Sequence, residues 1–151
     1  MRIDKDTYYL TLARDAASRS TCLRRAYGAV IVQNGEIIAT GYNGAPRGRC
    51  NCSDRGICER AARGVAHGER YELCRSVHAE MNAIISASRR DMMGATLYLN
   101  GIDMETGEDL TSSEPCDMCK RVIINAGIRE VVLGGTNGIR KVEVREYVEN
   151  E

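Results

Sequence analysis

The sequence predicts an α/β protein with helices packed on one mixed β-sheet. Three observations carry that prediction. Segments of helical apolar periodicity alternate with short β-rich runs, an Asn34-Gly35 pair lies between two such runs, and Pro115 and Gly127 bracket a helix-forming stretch. The resulting order is helix, hairpin, helix, strand, helix, strand. A length of 151 residues suits one domain, taken as residues 1–151.

The elements follow in order. Residues 4–20 read as an amphipathic helix with Tyr8, Tyr9, Leu12, Ala13, Ala16 and Ala17 on one side. Residues 29–32 and 36–39 flank Asn34-Gly35, the strongest short hairpin signal. Residues 41–75 are rich in Gly and Arg, hold Cys50, Cys52, Cys58 and Cys74, and are expected to be irregular. Residues 78–88 are helix-like, with Met81, Ile84 and Ile85 spaced for burial. Residues 96–99 form a strand, and a polar loop follows over 100–114. Residues 116–126 form a helix opened by Pro115 and stopped by Gly127, and residues 130–133 a further strand. The charged tail alternates apolar positions at Val142 and Val144, as either an edge strand or a helix from Val144 onward.

Composition narrows the function. Lys plus Arg and Asp plus Glu both number 21, so the chain lacks the basic excess of a protein that grips a nucleic-acid backbone. No nucleic-acid partner is expected. No apolar run is long enough to span a membrane, and Met1 to Asp6 lacks the apolar core of a secretion signal. Seven Cys, an odd count, point to metal binding or catalysis rather than to a disulfide framework, and to a cytoplasmic location.

The chemistry concentrates in His78-Ala79-Glu80 and Pro115-Cys116-Asp117-Met118-Cys119, each at an expected helix start. Cys116 and Cys119 are spaced i,i+3 and project from one face. Two thiolates and one imidazole make a three-ligand zinc site with an open fourth position. Zinc lowers the pKa of bound water to about 7, and Glu80 is placed to move its proton to a substrate nitrogen. His-x-Glu followed by Pro-Cys-x-x-Cys is the signature of zinc nucleobase deaminases. A structural zinc site would not require Glu80.

With these motifs the chain resembles the cytidine and deoxycytidylate deaminase superfamily over nearly its full length, most closely its dCMP deaminase branch. The matching blocks are residues 28–32, Gly41-Tyr42-Asn43-Gly44-Ala45-Pro46-Arg47-Gly48, residues 78–84 and residues 124–128. The resemblance implies hydrolytic replacement of the 4-amino group of dCMP, giving dUMP and ammonia. It implies a cytidine deaminase-like three-layer α/β/α fold around a mixed sheet, assembled as a homodimer or hexamer, with dCTP and dTTP as effectors. By motif position, Asn43 would hydrogen-bond the sugar or base, the Ala79 backbone would read the cytosine edge, and Tyr98 would lie near the sugar and phosphate. The plainer readings are a turn residue for Asn43 and a core strand residue for Tyr98. The region of Arg89 would serve subunit contacts and effector response, or simply end a solvated helix. Arg24, Arg25, Arg47 and Arg49 flank the glycine-rich stretches and are the candidates for phosphate recognition.

The resemblance also implies a second, structural zinc held by Cys22, Cys52, His67 and Cys74. Cys58 is the alternative member and Cys50 the expected free thiol. Such a metal would organise a segment that lacks an apolar core. Residues 101–111 look inserted relative to the family, and their acidic side chains would cover the pocket or meet a neighbouring subunit. Ser113-Glu114-Pro115-Cys116 also echoes tRNA adenosine deaminases, and a free nucleoside deaminase shares the same zinc chemistry. Outside enzymes, a two-zinc binding module would not need Glu80, and a thiol redox protein would require Cys116 and Cys119 to oxidise readily.

Overall fold

Asn34 and Gly35 both take positive φ, 52° and 77°, and close a two-residue turn between β1 (Arg25–Gln33) and β2 (Glu36–Tyr42). The computed structural model describes residues 1–150; Glu151, the last residue of the expected domain, lies outside the described residues. The hairpin belongs to a five-stranded sheet completed by β3 (Thr96–Asp103), β4 (Glu130–Leu133) and β5 (Arg140–Glu143). The strand order is β2-β1-β3-β4-β5, with β3 and β4 parallel and the other neighbours antiparallel. A mixed sheet is therefore present.

The period-2 alternation of β-strands sorts the core into two halves. Ala29, Ile31, Leu97, Leu99, Val131 and Leu133 face one side, where they pack with Ala79, Ala83, Ile123 and Ala126. These come from α4 (Ala79–Ile85) and α6 (Asp117–Ala126). Val30, Val32, Tyr98 and Val132 face the other side, against Tyr9, Leu10 and Ala13 of α1 (Lys5–Ala17). The fully buried aliphatic side chains contribute about 1.5–3 kcal/mol each by leaving water. Helices on both faces of one sheet make the expected three-layer α/β/α arrangement.

Two helix faces differ from the sequence expectation. In α1 the buried residues are Tyr9, Leu10, Ala13 and Ala17, while Tyr8 is exposed. In α4 the buried residues are Ala79, Glu80 and Ala83, and Ile85 is 75% exposed. The reason lies in Gly41 of β2. A Cβ there would collide with the Ala79 carbonyl oxygen and the Ala83 nitrogen, so α4 docks backbone-close through its small residues. Asn82 fixes that docking by donating to the Tyr42 carbonyl at 2.8 Å.

Between β2 and α4 the chain forms only α2 (Cys52–Arg55), α3 (Glu59–Ala62) and a 3₁₀ turn (Tyr71–Leu73), much as its composition predicts. Helix α5 (Arg89–Met92) follows α4, and Arg89 Nε donates to the Asn125 carbonyl at 2.8 Å, tying α5 to the last turn of α6. The expected polar loop at 100–114 is partly strand, because Asn100 to Asp103 continue the pairing of β3 with β1. The tail realises both alternatives in succession: β5, then α7 (Val144–Glu149).

Candidate active site and metal centre

Two helices begin at one point beside the sheet. His78 is the extended residue that caps α4, and Cys116 is the extended residue that caps α6. Cys119 lies in the first turn of α6. His78 Nδ1 is 3.5 Å from Cys116 Sγ and 3.4 Å from Cys119 Sγ. The three ligand atoms all lie within 4.8 Å of one another. A nitrogen and a sulfur held tetrahedrally at zinc distances of roughly 2.0 and 2.3 Å would be separated by about 3.5 Å. The residues present therefore fit zinc in donor type and in spacing.

The electrostatics agree with a shared site. Cys116 is pushed down to about 4, chiefly by its hydrogen bond with Cys119 and then by His78. Cys119 moves upward, because its neighbour keeps the thiolate and burial disfavours a second one. Burial alone would lower His78, but the adjacent Cys116 and Cys74 thiols raise it to about 10. The unpaired N–H groups in the first turn of α6 favour negative charge at the same place. Glu80 is 4% exposed, and burial raises its carboxyl above the ordinary range. A carboxyl group so shifted holds a proton more readily than a free one, which suits it to proton transfer.

A cavity opens on this cluster, lined by His78, Glu80 and Cys116 among others. A region described as the cytidine and deoxycytidylate deaminase zinc-binding region matches residues 3–135. The chain belongs to the cytidine and deoxycytidylate deaminase family. Among family members, the deoxycytidylate deaminase of Mycobacterium phage D29 is 39% identical over 136 residues, covering 87% of this chain and 94% of the phage protein. The deoxycytidylate deaminase of Saccharomyces cerevisiae is 42% identical over 134 residues, 87% of this chain but 38% of the yeast protein, so the chain spans well under half of that relative. A solved dCMP deaminase from cyanophage S-TIM5 superposes with a TM-score of 0.59 at 25% identity, covering 87% of this chain and 82% of the phage chain.

The structure treats the other expected site residues of this deaminase-family chain unequally. Asn43 lines the cavity, and its side chain is spent on backbone: Oδ1 accepts from Tyr27 N at 2.8 Å and Nδ2 donates to the Arg25 carbonyl at 2.9 Å. Ala79 is fully buried between His78 and Glu80. Tyr98 is not brought to the site. It faces α1, on the opposite side of the sheet from α4 and α6, and its hydroxyl donates to Asp6 Oδ1 at 3.0 Å. Strand alternation decides this, since Leu97 and Leu99 occupy the site-facing side.

Cys22, Cys52, Cys58, His67 and Cys74 all line the same cavity. Among the described residues, however, His78, Cys116 and Cys119 are the one cluster drawn to metal-binding distance. Cys52 lies near Cys22, Cys74, Cys58 and Arg75, whereas His67 lies near Arg25, Arg24 and Arg60. The acidic loop does not line the cavity. It folds back on β3 through an Ile102–Asp109 bridge, and Asp109 pairs with Arg14 of α1 at 2.6 Å.

Sequence reasoning missed several lining residues: Tyr27, Arg60, Tyr71 and Arg75. Tyr71 meets the His78 ring edge-on, with centroids 5.0 Å apart. Arg60 covers the Tyr71 ring at 4.3 Å while donating to the Glu69 and Ala66 carbonyls. No motif spacing marks these residues.

Proposed function

We propose that this chain, as a single domain over residues 1–151, deaminates dCMP to dUMP and ammonia. The carrying observation is the triangle of His78 Nδ1, Cys116 Sγ and Cys119 Sγ, with His78, Cys116 and buried Glu80 lining one cavity. The deoxycytidylate deaminase relatives support the choice of substrate. His78, Cys116 and Cys119 would hold zinc, which when bound supplies the Lewis acid that lets water attack at neutral pH.

Glu80 is the proton carrier. Water adds to C4 of the cytosine ring, and the C4–N4 bond breaks. Of the two protons that water brings, Glu80 delivers one to ring N3 and one to the departing nitrogen, so uracil and ammonia result. Burial of Glu80 raises its affinity for a proton and suits it to both halves of that transfer. Asn43 holds the cavity wall at the start of β1 and would contact the sugar or base, and the Ala79 backbone would face the cytosine edge.

A second, structural zinc on Cys22, Cys52, His67 and Cys74, with Cys58 as the alternative member, belongs to the same reading. Its support is the gathering of five such donors on one wall of a segment short of apolar core. The reading predicts about two zinc ions per chain and a loss of stability in Cys52→Ser; a single zinc with unchanged stability rejects it. Exposed Ile85, Met93 and Tyr42 support a homodimer or hexamer. Regulation by dCTP and dTTP rests on the resemblance. A cytoplasmic location fits seven free thiols, and no described helix is long and apolar enough to cross a membrane.

The test is to measure deamination of dCMP, deoxycytidine, CMP and dCTP, with Glu80→Ala as control. Preference for dCMP, abolished in the variant, is the expected result. Absence of turnover with all four by zinc-loaded protein rejects the reading.

A further inference from the structure

We propose that Cys74 is a positioning residue for His78, its sulfur accepting the N–H of the second imidazole nitrogen, Nε2; the inference rests on the zinc reading of the His78, Cys116 and Cys119 cluster. Nδ1 is the nitrogen turned to those two thiols, at 3.5 and 3.4 Å. A neutral imidazole that ligates a metal through Nδ1 carries its one proton on Nε2. Histidine ligands almost always give that proton to an acceptor, which fixes the ring and its tautomer. Among the described residues, no carbonyl or carboxylate accepts from the His78 ring, whose hydrogen-bond contacts are the two sulfurs at Nδ1. The acceptor for Nε2 must therefore be sought among the other groups packed on the ring.

The backbone delivers Cys74 to that ring. Cys74 N donates to the Tyr71 carbonyl at 2.9 Å, closing the 3₁₀ turn whose Tyr71 ring stands against the imidazole. Three residues on, Val77 is pinned to Gly44 by two hydrogen bonds, its N donating at 2.7 Å and its carbonyl accepting at 3.2 Å. Between them, Arg75 Nη2 donates to the Cys50 carbonyl at 3.1 Å. The arc Cys74-Arg75-Ser76-Val77 is thus tethered at both ends and runs directly into His78, and Cys74 and His78 line the same cavity. Burial alone would raise the Cys74 thiol, but the adjacent His78 ring and the Ser76 N–H bring it below its ordinary range. A sulfur in that state is an acceptor, and an ionised acceptor makes the stronger hydrogen bond. The face of Tyr71 is the other group on the ring, and a π face accepts only weakly.

The chain has two histidines, His67 and His78, so nitrogen-15 NMR of the zinc-loaded protein, with His67→Gln for assignment, reads the His78 Nε2 proton directly. Chelator titration followed by the His78 ring signals gives the zinc affinity of that cluster alone. Both are measured in the wild type, Cys74→Ala, Cys74→Ser and Cys50→Ala. A slowly exchanging Nε2 proton is expected in the wild type. Cys74→Ala should lose it and weaken zinc at the His78 cluster by roughly 10- to 100-fold. Cys74→Ser, which keeps an acceptor, should recover part of that loss, and Cys50→Ala, whose thiol is exposed, should match the wild type. A wild-type Nε2 proton that exchanges as fast as that of free imidazole overturns the proposal, whatever the variants do. Unchanged zinc affinity at the His78 cluster in Cys74→Ala also overturns it; if that variant has lost only a second zinc ion, Cys74 serves that metal and not His78. A wild type whose His78 signals do not respond to zinc overturns the zinc reading as well.

Discussion

Tyr71 and His78 meet edge to face, with ring centroids 5.0 Å apart and planes at 83°. The imidazole is thereby held against the Tyr71 ring, and Arg60 covers Tyr71 in turn. Groups that orient a metal-binding histidine are worth roughly 10- to 100-fold in metal affinity. Tyr71→Leu is therefore expected to weaken zinc binding by about 10-fold or more, and Tyr71→Phe to leave it near wild type. Competition with a zinc chelator measures both. Equal affinity in Tyr71→Leu and wild type would deny the ring this role.

Asn43 joins the site to the fold. Both ends of its amide are bonded to the β1 backbone, and the residue is 6% exposed. Replacement by Leu leaves Tyr27 N and the Arg25 carbonyl without those partners, at a cost of about 1–3 kcal/mol. For a protein of this size that lowers Tm by roughly 2–10 °C. Calorimetry of Asn43→Leu with zinc bound tests this, and an unchanged Tm would mean that the two bonds contribute nothing.

Tyr98 supplies the opposite case. Its hydroxyl is bonded to Asp6 on the α1 side of the sheet. Tyr98→Phe should cost about 1 kcal/mol of stability and leave KM and kcat for dCMP unchanged. A several-fold rise in KM would return Tyr98 to the substrate site.

These residues mark how far the sequence alone could be read. The hairpin was legible because Asn34-Gly35 is a local signal, and the His78/Cys116/Cys119 cluster because metal chemistry restricts residue type and spacing together. The α1 and α4 faces were not. A hydrophobic pattern selects Ile85, but the contact that orients α4 is a backbone approach over Gly41 made possible by Ala79 and Ala83. Tyr98 followed motif position, although its place in the strand puts it on the other face. Tyr27, Arg60, Tyr71 and Arg75 were not legible either, because what marks them is a place on the cavity wall. That property appears only when segments distant in the chain close one cavity.

The central claim is that zinc on His78, Cys116 and Cys119 and the carboxyl of Glu80 act together on a cytosine nucleotide. Bound zinc and dCMP turnover, measured side by side in the wild type and in Glu80→Gln, test it most directly. The account predicts the same zinc content in both proteins and a loss of turnover of about 10²- to 10⁴-fold in the variant. Turnover within a few-fold of wild type in zinc-loaded Glu80→Gln would contradict it.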